Sequence, residues 1–167
     1  MLNSKLVRAL ALTTAIAAFG AASHEALATS QTGHASATIL QAITVTENTQ
    51  MNFASISAPA AGGNVVLAPA GTIGPVAGFV FVGTPAAGVF GATGSNNSPA
   101  VISFSTGDTL TGPGAAMALG TFTTNPASPT TFDNTGNLTI NVGATLTVGA
   151  NQVAGAYTGT YTITVVY

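Results

Sequence analysis

Within residues 29–167 only four side chains could carry acid-base or metal chemistry at ordinary pH: His34, Glu47, Asp108 and Asp133. Nucleophilic catalysis needs a hydroxyl or thiol with a base held beside it. His34, the one candidate base, lies in Gln31-Thr32-Gly33-His34-Ala35, an N-terminal stretch with no element to hold it, where chain ends are poorly ordered. Glycoside hydrolysis needs two carboxyls across a sugar. Asp108, in Thr106-Gly107-Asp108-Thr109, and Asp133, in Phe132-Asp133-Asn134-Thr135-Gly136, carry turn signatures in which a carboxylate caps nearby backbone amides. Calcium at Asp108 or Asp133, with carbonyl oxygens from Asn96, Asn97 and Asn134, stays open as an alternative. The glycines of residues 78–83 lack the spacing and following helix of a dinucleotide loop, and no lysine completes a P-loop. The expectation is no enzyme, no cofactor and no metal centre.

The two cations of the chain, Lys5 and Arg8, precede the apolar run 9–19, and Ala26-Leu27-Ala28 offers small residues for cleavage. That is the layout of a secretory signal peptide, so residues 1–28 are expected to be removed. The remainder carries three acids and no lysine or arginine, and cannot neutralise phosphates or attract anionic lipid. Nucleic-acid binding is excluded on that ground. The leader's apolar run is too short to span a bilayer, and no later stretch is apolar for longer, so no transmembrane helix is expected. Export permits disulfides, yet there is no cysteine, so packing and backbone hydrogen bonds must hold the fold. A positive mean hydropathy of +0.52 argues against disorder.

Clusters of Gly, Pro, Asn and Ser separate strand-length segments at 37–46, 51–56, 64–68, 78–83, 88–93, 100–104, 116–123, 137–142, 144–148 and 156–166. Val, Ile, Phe and Thr dominate several of them, as suits a pleated, half-buried surface. The last segment alternates over its length, with Tyr157, Gly159, Tyr161, Ile163, Val165 and Tyr167 on one face and threonines on the other. Residues 149–155 read as a hairpin loop between the two final strands. Frequent turns without helical spacers predict a single all-β domain over 29–167, an antiparallel immunoglobulin-like β-sandwich, with 29–36 as a mobile lead-in. Its strand edges are almost bare of the charges that normally block edge-to-edge pairing.

The ending Asn141-Val142-Gly143-Ala144-Thr145-Leu146-Thr147-Val148, then Asn151-Gln152 and Gly155-Ala156-Tyr157-Thr158-Gly159-Thr160-Tyr161-Thr162-Ile163-Thr164-Val165-Val166-Tyr167, resembles that of a secreted bacterial family classed as a domain of unknown function. Its members typically end in VGGTLxVxxNQxxGxYxGxYxVTVxY and open with an Ile-Thr-rich strand leading to LNFG. Here the opening runs from Ile43-Thr44-Val45-Thr46 to Met51-Asn52-Phe53-Ala54, with Ala144 and Ala54 in place of two family glycines. A fainter resemblance runs to spore coat protein U and archaic chaperone-usher pilin domains. In such pilins a sandwich lacks one strand and a neighbour's N-terminal segment fills the groove. Carried over, the resemblance implies a groove bordered by Tyr157, Tyr161, Ile163, Val165 and Tyr167. It implies a donor in 35–45, with Ile39, Ile43 and Val45 alternating toward the groove.

The function expected is therefore that of a non-enzymatic, exported structural subunit, pilin-like or coat-like, at the cell surface or outside the cell. Its partners would be copies of itself or related subunits, with a periplasmic chaperone and outer-membrane usher implied by the resemblance. A monomeric secreted binding module for a glycan is the alternative, and a small outer-membrane β-barrel a further one.

Overall fold

A computed structural model of the chain describes residues 29–167; the leader expected over 1–28 lies outside the described residues. The chain divides after Ala37, and Thr38–Tyr167 forms one compact unit. Residues 29–43 have no regular structure. Eleven strands follow: β1 (Thr44–Thr49), β2 (Ser55–Ser57), β3 (Gly63–Leu67), β4 (Val80–Val82), β5 (Gly88–Thr93), β6 (Pro99–Phe104), β7 (Thr109–Leu110), β8 (Met117–Asn125), β9 (Thr130–Thr131), β10 (Asn137–Val148) and β11 (Ile163–Val166). Every pairing is antiparallel. Among the described residues no helix is long and apolar enough to cross a membrane.

β10 organises the domain. Its even-numbered residues Leu138, Ile140, Val142, Ala144, Leu146 and Val148 are all buried, the period-two pattern of a strand with one face in a core. One edge of β10 pairs with β5 along 137–142 and with β3 along 144–148. The separate strands 137–142 and 144–148 expected from the sequence are thus one. Gly143 sits at the junction, where β3 turns away, and a Cβ there would collide with the Leu67 carbonyl and with Ala68 and Pro69. The other edge of β10 pairs with β8, giving the order β1-β5-β10-β8-β7. β8 carries a bulge: Gly143 faces Thr123 and Thr145 faces Gly120, so Thr121 and Phe122 oppose the single Ala144. Thr121 has φ 48°. The extra residue moves the inward face from Met117 and Leu119 to Phe122 and Thr124.

The opposite layer has two parts. β11-β6-β9 covers the first half of β10, enclosing Phe90, Ala92, Ile102, Phe132, Ile140 and Val165. β2-β4 covers part of the second half, where Phe53, Val65, Leu67, Met117, Leu119 and Leu146 cluster against Ile56, Phe79 and Phe81. The result is the all-β, sandwich-like domain that the strand pattern predicts. Residues 99–111 join the layers, because β6 pairs with β11 while β7 pairs with β8.

Three expectations are corrected. The first strand begins at Thr44, not at residue 37, because Gln41 is held by Ser95 and Tyr167 at the end of the fold rather than by a ladder. Residues 149–155 are not a hairpin loop, since both edges of β10 are already taken and the chain crosses to the other layer. Of 156–166 only β11 is strand, and Thr158 makes an isolated bridge with Thr111.

Candidate functional site

β10 and β8 run the length of the domain, whereas the layer opposite is interrupted, and the interruption leaves a groove of about 980 Å³. Its floor is Leu110, Met117, Leu119, Leu146 and Val148, and its rims are the backbone stretches 47–58 and 152–161. The floor residues are the inward sets of β7, β8 and β10, apolar because those strands alternate.

The rims carry unpaired backbone. On one side Thr158 and Thr111 exchange both amide bonds, at 2.8 and 2.9 Å, and the Thr162 carbonyl accepts from the Ser105 amide. Tyr157 before Thr158, and Gly159, Thr160 and Tyr161 between Thr158 and Thr162, have no backbone partner among the described residues. On the other side Asn52 exchanges both bonds with Ala86, while Met51 and Phe53 have none. Backbone amides and carbonyls are obligatory hydrogen-bonding groups, so two such rims form a template for another strand. With a rise of about 3.3 Å, a strand spacing of about 4.8 Å and a layer separation of about 10 Å, each strand residue fills about 160 Å³, so the groove takes roughly six residues.

Of the five residues expected to border a groove, the structure brings two to it. The Tyr157 hydroxyl donates to the Val153 carbonyl at 2.8 Å and accepts from the Gly114 amide at 3.0 Å, bracing its rim against the 112–115 loop. The Gln152 side-chain amide adds a bond to the Ala115 carbonyl at 2.6 Å. Tyr161 stacks on Phe122 with centroids 5.0 Å apart and meets Phe90 edge-on at 6.0 Å. Its hydroxyl is sealed over Gly88 without a partner, and burial, with a smaller effect from the Glu47 charge, pushes its pKa up to about 12. Ile163 and Val165 belong to β11, opposite Phe104 and Ile102, and pack into the other half of the core. Tyr167 lies at the far end, accepting from the Ser95 amide at 2.7 Å and donating to the Gln41 carbonyl.

The three donor residues divide. Ile43 packs against the domain's own core and Val45 pairs with Ala92 in β1, whereas Ile39 is 95% exposed. Sequence reasoning missed Glu47 and the floor. The floor was legible as alternation in 116–123 and 144–148, but which of these buried residues would lie beneath a groove was not.

The carboxylates away from the groove serve turns. Ser105 donates its hydroxyl to both Asp108 oxygens at 2.9 and 2.8 Å. Asp133 Oδ1 accepts from the amides of Thr135 and Asn137, each at 2.8 Å, and from the Thr135 hydroxyl at 2.7 Å. These bonds, the Asn137 amide foremost, hold its carboxyl below the ordinary value. His34 is exposed in the strand-free N-terminal stretch. Among the described residues no three His, Cys, Asp or Glu side chains gather as a metal site.

Fold and groove define a class: an all-β, antiparallel, sandwich-like domain with an apolar slot between unpaired backbone rims. The family model described as Domain of unknown function (DUF4402) matches residues 43–167, and the chain belongs to that family. No curated protein and no solved structure matches it.

Proposed function

We propose that this domain is a non-enzymatic structural subunit, exported and displayed at the cell surface, that assembles by β-strand addition. The observation that carries the reading is the groove, with its apolar floor and two unpaired rims. Backbone rims give affinity for any extended strand, and the pockets of an alternating floor give preference for side chains. The lead-in, residues 29–40, is the donor this reading assigns. It is exposed and free of regular structure, its one titratable side chain is His34, and in an extended strand its Ala35, Ala37 and Ile39 would share one face. Ile43 and Val45 are engaged in their own domain and are left out of the donor. Copies of the chain or related subunits are the partners, and a periplasmic chaperone and outer-membrane usher are the machinery the reading calls for.

A glycan site is less well supported, because sugar recognition needs convergent polar side chains and an open aromatic face. Here one tyrosine hydroxyl is engaged with its own rim and the other is sealed. The test is a denaturing gel of native protein sheared from cells, unheated against boiled. A ladder of subunit multiples that collapses on boiling is expected, and a monomer band in both lanes would overturn the proposal.

A further inference from the structure

The groove contains one charge. Glu47 stands on edge strand β1 directly opposite Phe90 of β5, and directly opposed residues project from the same face of a sheet. Phe90 is in the core, so Glu47 projects from that face of the sheet and helps to line the groove, where its side chain is exposed to solvent. Beyond it the register shifts, with Asn48 as the extra residue before Thr49 meets Val89.

The other elements around the groove offer no countercharge. β5 presents Phe90; the rim 50–58 presents Gln50 and Asn52 as its amide side chains; the floor is aliphatic. The only other titratable side chains lining it are the phenols of Tyr157 and Tyr161. The nearness of Glu47 to Tyr161 is also registered in the upward push on that phenol. Asp108 and Asp133 lie in turns outside the lining. An inward-pointing charge is a recognised guard on an edge that must not pair indiscriminately.

We infer that Glu47 is the selectivity residue of the groove, setting when the lead-in of a second copy, which has no lysine, arginine or acid, is admitted. The inference rests on the strand-addition reading. A strand seated with Ala35, Ala37 and Ile39 toward the floor brings no cation to the carboxylate and excludes its water. His34, of opposite parity, projects to the solvent side. Burying an unpaired carboxylate is costly, and the group instead takes up a proton. Occupation is therefore coupled to uptake of one proton from solvent by Glu47. It is weak at neutral pH and strengthens in acid, where a carboxylate is more readily protonated.

The experiment uses the intact chain and a peptide of residues 29–40 bearing a pH-insensitive dye, with binding read by anisotropy at pH 7.5 and 4.5. Wild type is expected to bind about fivefold or more tightly at pH 4.5 than at pH 7.5, because burial favours the protonated form of a carboxylate. Glu47→Gln is expected to bind tightly at both pH values. A peptide carrying His34→Gln should keep the wild-type pH dependence, which separates Glu47 from the imidazole. Equal affinities for wild type and Glu47→Gln at both pH values would overturn the inference and leave strand addition standing. Absence of binding by either protein at either pH would overturn strand addition and the inference with it.

Discussion

The Tyr161 hydroxyl lies against Gly88, where even a methyl group would collide with it, and finds no hydrogen-bond partner there. The ring is held instead by Phe90, Phe104 and Phe122, so Tyr161 ties the two halves of the core together. A sealed, unpaired hydroxyl costs about 1–3 kcal/mol. Tyr161→Phe, which keeps the ring, should leave the melting temperature unchanged or raise it, whereas Gly88→Ala should lower it. Thermal unfolding followed by far-UV circular dichroism reads both; a fall for Tyr161→Phe would mean that the hydroxyl is satisfied.

The same phenol gives an alkaline signature. With its folded pKa raised from 10.0 to about 12, it binds its proton more tightly folded than unfolded. The stability it contributes is complete below about pH 10 and is lost as pH rises toward 12. Absorbance titration should show a phase near pH 12, and Tyr161→Phe should remove that phase. An unchanged titration in the variant would contradict this assignment.

Asp133 works in the opposite direction. Its folded carboxyl lies below 3.8, so its contribution is present above that value and is lost as pH falls through the folded one. Asp133→Asn should therefore be less stable than wild type at pH 6, with the difference closing in strong acid. A melting-temperature series on both proteins measures it, and a constant gap across pH would show that charge is not involved.

Gly143 is buried beneath the Leu67 carbonyl in the middle of β10. Gly143→Ala should cost about 1–3 kcal/mol through overpacking. Leu146→Ala, at a residue 1% exposed in the groove floor, should cost about 2–5 kcal/mol. Denaturant unfolding gives both values, and a loss under about 0.5 kcal/mol, the ordinary surface figure, would contradict the packing described.

Tyr167→Phe removes the hydroxyl that joins the Ser95 amide to the Gln41 carbonyl. A loss of about 1–2 kcal/mol is expected, typical of hydrogen bonds in folded proteins. Faster hydrogen exchange should be confined to the amides near residues 41 and 95. Unchanged exchange there would show that Tyr167 does not anchor the start of the fold.

By itself the sequence determined the class of fold. That is a local property: alternation of Val, Ile, Phe and Thr marks strands wherever it occurs. The capping role of Asp133 was legible for the same reason, since the amides it accepts from lie within four residues, whereas Asp108 accepts from the Ser105 hydroxyl in place of the backbone amides expected. Only the tertiary structure decided which strands meet. β10 pairs on one edge with two strands from different parts of the chain, and the residues after it cross to the other layer, so the apparent hairpin never forms. It also decided that Tyr157 and Tyr161 border the groove while Ile163, Val165 and Tyr167, on the same alternating face, do not. Period-two alternation states which way a side chain points, but what it meets depends on partners tens of residues away. For the same reason Glu47, in sequence one of four acid-base side chains with no site attached, lines the groove as its one charge only when β1 is laid beside β5.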